Sequence, residues 1–208
     1  AETLVRQAQR DVLILKKLSI LWVCFLDDDY PPILKEISDP PFVLYYRGDF
    51  GILSRKSVSV VGTRKITGDS CRAAIDFAYD ACMDGINVIS GLAFGVDRKA
   101  HEGALNAYYD AQDKERVGKT IAVLPGGIDA VIPVCHKILA AKILQSGGLL
   151  ISEYPPVTYA KPYCFVERNR IIAGLSPATV VIQAPVGSGA MITADFAAGY
   201  NREVMFHK

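Results

Sequence analysis

Val58-Ser59-Val60-Val61-Gly62-Thr63-Arg64 reads as a short apolar strand that stops at a glycine turn. A helical stretch follows. Thr67 or Asp69 suits its N-cap, Ala74, Phe77, Ala78, Ala81 and Cys82 fall on one face, and Gly85 closes it. Ile86-Asn87-Val88-Ile89-Ser90 is then a second strand, with Gly91-Leu92-Ala93-Phe94-Gly95 at its end. Continuous apolar strands joined by amphipathic helices predict a parallel sheet covered on both faces.

The alternation continues to the end of the chain. A helix is expected from Val96 to Tyr108, a mobile charged loop from Tyr109 to Lys119, and a strand from Thr120 to Leu124 followed by Pro125-Gly126-Gly127. Another helix runs to about Gln145, and Leu149 to Ser152 is the next strand. A loop rich in proline and tyrosine, Glu153 to Cys164, leads into the helix that carries Arg168-Asn169-Arg170. Ala178 to Gln183 is a strand, Pro185 to Gly189 a turn, Ala190 to Tyr200 a helix, and Glu203 to Phe206 a sixth strand. The strand ends carry Gly62, Gly91, Gly126, Glu153 and Gly187. In a doubly wound sheet those ends share one edge, ligands bind where strand order reverses, and glycine lets them approach the backbone.

Residues 1–50 differ from this pattern. Val5 to Leu18 suits a short amphipathic helix, Ile20 to Leu26 a strand, and Phe42 to Tyr46 a strand ending at Gly48. Asp27 to Pro32 and Asp39-Pro40-Pro41 are turn clusters, with Ile33, Leu34 and Ile37 at helical spacing between them. The segment is expected to be an N-terminal lead-in layer packed on a main domain of residues 51–208. The chain opens on Ala1 and is read as a fragment of a longer protein.

The 208 residues are half hydrophobic and carry a formal net charge of +1, so any polyanion contact must come from a local patch. Five cysteines at wide, irregular spacing contain no CxxC pair, which points away from a zinc ribbon or disulfide framework and toward free thiols in a reducing cytosol. No apolar run reaches membrane-spanning length and no signal peptide is visible.

Phe165-Val166-Glu167-Arg168-Asn169-Arg170 gathers an aromatic, two arginines and an amide at the start of an apolar helical run. So placed, the block can face a phosphate, helped by the free N–H groups of the helix N-terminus. The alternative is a solvated first turn whose arginines pair with nearby carboxylates. Gly62-Thr63 with Arg64, Gly91 and Gly95 in the second loop, and Ser188-Gly189 before the last helix are candidate phosphate cradles, against the alternative of tight turns. Asp97 and His101, four apart, read as a cap and a structural hydrogen bond rather than an acid–base couple. Glu153, at a strand end, is the best-placed acid or base, but with no second carboxylate beside it in sequence it reads first as a carboxylate that orients a neighbouring arginine or backbone amides. Tyr154, Tyr159, Tyr163 and Phe165 interleave with Lys161, which resembles a platform for stacked single-stranded bases or a loop pinned by its own aromatics.

Taken in order, these segments resemble the DprA (Smf) family of bacterial DNA-processing proteins. The resemblance is carried by Tyr30-Pro31, Asp39-Pro40-Pro41, Val61 to Arg64, Ser90 to Ala93, Gly95-Val96-Asp97, Ala100-His101 and Ala104-Leu105. It continues through Val123 to Asp129, Pro133, His136, Ile151 to Pro155, Phe165, Arg168 to Ser176, Ser188-Gly189-Ala190 and Ile192-Thr193-Ala194. It implies an extended Rossmann-like fold and a cytoplasmic protein that binds single-stranded DNA and loads RecA recombinase during transformation or recombination. It also implies a homodimer in the full-length protein. By motif position, Arg64, Lys161, Arg168, Asn169 and Arg170 would contact the DNA backbone and Phe165 would stack on a base. Arg64, Arg168 and Arg170 are expected to converge on one pocket with Phe165 and Lys161 at its rim. Phe94 stands where the family often has arginine, Gln183 and Val186 replace acidic or apolar residues, and the family usually runs on beyond Phe206-His207-Lys208 through Val-Pro-Gly. Its helical and winged-helix flanking modules are not visible in this sequence.

The rival reading is a nucleotide-binding or nucleoside-monophosphate-hydrolysing enzyme of a related fold. Such hydrolases carry Pro-Gly-Gly-x-Gly-Thr-x-x-Glu, whereas Pro185-Val186-Gly187-Ser188-Gly189-Ala190 here lacks the glutamate. A nucleotide sensor without turnover is a third reading. No catalytic constellation, cofactor or metal ligand set is read from the sequence.

Overall fold

The computed structural model describes residues 2–207. Helix α1 (Glu2–Lys17), strand β1 (Leu21–Cys24), a one-turn helix α2 (Pro32–Lys35) and strand β2 (Val43–Gly48) come first. The repeating part follows: β3 (Ser57–Val61), α3 (Gly68–Met83), β4 (Asn87–Ser90), α4 (Val96–Asp110) and β5 (Thr120–Val123). It is completed by α5 (Lys137–Gln145), β6 (Leu149–Ser152), α6 (Pro162–Gly174), β7 (Ala178–Val181), α7 (Gly189–Gly199) and β8 (Glu203–Phe206).

All eight strands join one sheet in the order β1-β2-β6-β5-β4-β3-β7-β8. The six strands from β3 onward are parallel to one another. The chain steps from β3 out through β4 and β5 to β6, then returns to β7 on the other side of β3. The switch point therefore lies between β3 and β7, as a doubly wound Rossmann-like sheet requires. Gly62, Gly91, Gly126 and Glu153 all follow the carboxyl ends of parallel strands and so share one edge of the sheet.

The central strands are buried on both faces, and successive side chains alternate between the two layers. Val61, Ile89, Ile121, Val123, Leu149, Ile151 and Val181 pack on one face with Ile171, Ile172 and Leu175 of the α6 region and Ala190 and Ala194 of α7. Val58, Val60, Val88, Val180 and Ile182 pack on the other with Ala74, Ala78 and Cys82 of α3 and Ala100 and Ala104 of α4. Leu105, Ala140, Ile143 and Leu150 extend that second layer under α5, joined by Leu15 and Ile20. Small alanines on α3 and α4 let the two helices approach each other closely.

The structure refines three expectations. The N-terminal lead-in segment contributes two strands to the sheet itself: β2 pairs antiparallel with β6, and β1 with β2. Left bare, β6 would present unpaired backbone groups at the sheet edge, and the two added strands satisfy them. The intervening turn is seated by Tyr30, fully buried, whose hydroxyl donates to the Pro41 carbonyl at 2.6 Å. The stretch after α4 is not a free loop. The Lys114 ammonium donates to the Tyr109 carbonyl at 2.8 Å, and the Lys119 ammonium lies 4.3 Å from the Tyr108 ring centroid. Finally, α6 begins at Pro162, not at Phe165, because proline is preorganised for the first helical position and Lys161 holds the extended backbone of the cap.

Asp97 and His101 do not pair with each other. His101 is fully buried, and its Nδ1–H donates to Thr120 Oγ1 at 2.7 Å, since that hydroxyl already donates to the Val88 carbonyl. Burial, reinforced by Arg168 and then His136, pushes the His101 pKa down from 6.5 to about 3. The unfolded chain therefore binds a proton that the folded protein refuses, and stability present above pH 6.5 is lost as pH falls toward 3. This group alone contributes a slope of up to about 1.4 kcal/mol per pH unit within that window. Urea melts of His101→Gln should lose less stability than the parent between pH 6.5 and about 4. Equal losses in the two proteins would overturn the assignment.

Candidate nucleic-acid interface

A cavity of about 280 Å³ opens at the switch point between β3 and β7. The loop after β3 supplies Gly62, Thr63 and Arg64, the N-terminal end of α4 supplies Asp97, and the start of α7 supplies Ser188, Gly189 and Ala190. Helix α6 contributes Phe165, Arg168, Asn169 and Ile172. Their spacing of three, four and seven residues places them on one face of that helix.

Arg168 is only 3% exposed. Its side chain crosses the carboxyl edge of the sheet from α6, and Nη1 donates to the Val123 carbonyl at the end of β5 at 2.7 Å. It occupies the space a side chain would need at position 91: a Cβ on Gly91 would lie 1.8 Å from Nη1. Burial lowers its pKa to about 10, against the opposing pull of Asp97, so it stays cationic at neutral pH. Burial pushes the Asp97 carboxyl up, while Arg168 and the backbone N–H groups of Ala93 and Gly91 pull it down. Arg168 and Asp97 thus act on each other electrostatically beneath the cavity, with no direct ion pair between them among the described residues. Nε of Arg168 and Oγ of Ser188, both belonging to wall residues, have no hydrogen-bond partner among the described residues.

Arg64 is the exposed cation of the site, and its guanidinium carbon lies 5.1 Å from the centroid of the half-buried Phe165 ring. Asn169 donates from Nδ2 to the Gly189 carbonyl at 3.2 Å, which ties α6 to the start of α7. The first N–H groups of α7 carry partial positive charge toward the same space. A ring, a cation and a helix N-terminus around one cavity can hold a flat group and an anion together.

Not every expected residue reaches it. Arg170 points away from the cavity and forms ion pairs with Glu153 and with Asp39, the latter at 3.2 Å. Its side chain is 13% exposed, and Asp39 is also held by the Tyr200 hydroxyl at 2.6 Å. Arg170 therefore clamps the Asp39-Pro40-Pro41 turn to α6 and α7, and Glu153 orients it, as read from the sequence. The reason is helical geometry: residue 170 is turned about 100° from residue 169 and faces the lead-in segment. Lys161 sits outside the cavity at the cap of α6, exposed, with its ammonium 5.9 Å from the Tyr163 ring centroid. The free N–H groups at the start of α6 lie two turns before Arg168, so they do not serve the same anion as the arginines. Gly91 and Gly95 are occupied by the protein itself, Gly91 by Arg168 and Gly95, at φ +76, by the Thr63 carbonyl and Arg64 backbone. Their lack of a side chain admits those groups rather than a ligand. The electrostatic influence of Asp97 on Arg168 was missed, since a carboxylate at the start of a helix reads first as a cap.

The family model described as DNA recombination-mediator protein A matches residues 21–208. Protein Smf of Borreliella burgdorferi is 39% identical over 166 residues, covering 80% of this chain and 50% of that protein. The structure of DNA processing protein A from Streptococcus pneumoniae superposes with a TM-score of 0.81 at 34% identity, over 90% of this chain and 62% of that one. The Helicobacter pylori protein, described for its single-stranded DNA binding mode, superposes with a TM-score of 0.76 at 29% identity, over 89% of this chain and 80% of that one. The chain spans about half the length of the curated relatives it matches.

The packing of Arg168 against Gly91 has a direct consequence. Gly91→Ala should displace the guanidinium and cost about 1–3 kcal/mol in urea or thermal unfolding, as overpacking does. Gly189→Ala, where nothing lies within 4 Å of the added methyl, should stay within about 0.5 kcal/mol of the parent. Equal stability of the two variants would show that Arg168 is free to move.

Proposed function

The chain belongs to the DNA recombination-mediator protein A family, and from that premise we propose that it binds single-stranded DNA in the cavity at the switch point. The observation that carries this reading is the exposed Arg64 set over the Phe165 ring at the cavity wall. A base stacks on the ring and its phosphate meets the Arg64 guanidinium and the N-terminus of α7. Arg168 acts from beneath by holding the floor of the site and adding a buried positive charge. Asn169 positions α7 for the phosphate. Lys161 and the exposed Tyr163 lie where the strand leaves the cavity. Arg170 serves the site through the Asp39 turn, with no direct DNA contact.

In this reading the chain is the DNA-holding part of a mediator that protects single strands, loads RecA recombinase and works in the cytoplasm. The full-length protein pairs as a homodimer. The matched description as a recombination mediator supports that role, and the binding mode described for the Helicobacter pylori relative supports the ligand.

Oligonucleotide titrations at several salt concentrations test the site. Arg64→Ala should weaken binding to all sequences alike and flatten the salt slope by roughly 0.7, the value for one lost phosphate contact on a single strand. Phe165→Ala should cost about 1–3 kcal/mol with little change in slope. Duplex should bind more weakly than single strand, because paired bases do not reach the ring. Parent-like binding by Phe165→Ala, or equal competition by duplex, would sink the stacking site. Steady hydrolysis of nucleoside monophosphates, lost on Glu153→Gln, would replace this reading with the enzymatic one.

A further inference from the structure

A second cavity, of about 300 Å³, lies on the other side of the N-terminal half of α4, between that helix and α5. Leu105 and Leu139 form an aliphatic wall, and Tyr109 and Ile138, 54% and 72% exposed, stand beside it. Arg98 and Lys142 bring positive charge, and Asn106 brings an amide. The one carboxylate in the wall, Glu102, is already neutralised by Arg98 and Lys99, each at 2.7 Å. Lys142 and Asn106 are exposed, and their side chains make no hydrogen bond among the described residues. The cavity thus joins an apolar wall and an exposed aromatic ring to an uncommitted cation and an uncommitted amide.

The two cavities are lined in part by neighbouring residues of α4. Ala93 and Asp97 belong to the wall of the first, and Arg98, the next residue, belongs to the wall of the second. Phe94, half exposed, lies in the loop before α4, its ring edge-on to His136 with centroids 5.0 Å apart. His136 is itself in the wall of the second cavity, and its ring is fixed by a donation from Nδ1 to the Leu92 carbonyl at 2.8 Å. An exposed aromatic therefore packs on the wall of the second cavity, one residue from Ala93 in the wall of the first.

We propose that this second cavity binds a nucleobase with its phosphate, the base lying against Leu105, Leu139 and the Tyr109 ring, the phosphate meeting Lys142. Asn106 faces the base edge, where its amide both donates and accepts. The chemistry is that of a nucleotide unit, supplied either by a strand that runs on from the first cavity across Phe94 or by a free nucleotide. The inference rests on the single-strand reading of the first cavity for the former source alone.

Anisotropy titrations with a short oligonucleotide of about three residues and a longer one of about twelve distinguish the sources, with Tyr109→Ala, Lys142→Glu and the parent side by side. All changes are at exposed positions, so circular dichroism melts should match the parent. A strand source predicts that each variant weakens the longer oligonucleotide about five- to tenfold and leaves the shorter one unchanged, with Lys142→Glu also flattening the salt slope. A free-nucleotide source predicts no dependence on length. It predicts instead that cytidine or adenosine monophosphate shifts the His136 ring resonances of the parent at millimolar concentration and leaves those of Tyr109→Ala unmoved. If neither the long strand nor the mononucleotides distinguish parent from variants, the second site is overturned. If the parent binds no single strand at all, the first reading fails, and the mononucleotide arm still judges this one.

Discussion

A buried guanidinium organises the upper edge of this molecule. Arg168 leaves α6 on one face of the sheet, crosses the ends of β4 and β5, and lies within electrostatic reach of Asp97 of α4. A charge removed from water is tolerable only where an opposite charge and fixed hydrogen-bond partners surround it. The Val123 carbonyl, the vacant side-chain position at Gly91 and the attraction of nearby Asp97 meet those terms together. The guanidinium consequently fixes α6 over the sheet top, and one turn earlier on α6 the Phe165 ring is brought under Arg64. The ligand-facing geometry follows from an interaction that touches no solvent.

The arginines of the Arg-Asn-Arg block divide their labour by helical rotation. Arg168 turns inward to the sheet edge, and Arg170 turns to Asp39 and Glu153. Asn169 bonds the Gly189 carbonyl, and so joins α6 to α7. Little of the block's positive charge is left for long-range attraction, which accords with a formal net charge of +1 over the whole chain. In the proposed function, polyanion contacts at this edge depend on Arg64, on Lys161 and on the N-terminus of α7, arranged at short range. Such a site favours a ligand that offers a flat face and an anion in one unit.

The N-terminal strands answer a constraint of a different kind. An open parallel sheet leaves unpaired backbone groups at its edges, and β2 and β1 close one of them in antiparallel register. Tyr30 and the Asp39 turn then bind this addition to α6 and α7, the same helices that wall the first cavity. The lead-in segment and the candidate site therefore share a support, and Arg170 is their junction.

The alternating apolar strands and alanine-faced helices determined the parallel, doubly wound sheet, because side-chain period and strand length are local properties that the chain carries in its own order. The glycine-marked strand ends were legible for the same reason, and so were the residues of one α6 face, Phe165, Arg168, Asn169 and Ile172, once the helix was placed. Sequence order was silent on where each cation would point. Arg168 and Arg170 are two residues apart and alike in chemistry, yet one lies under the cavity and the other in an ion-pair clamp. Gly91 reads as an opening for a ligand until Arg168, 77 positions away, fills it. Partners so distant in the chain meet only when the helices dock on the sheet, and burial then decides which charges are consumed inside the protein and which remain to face a ligand.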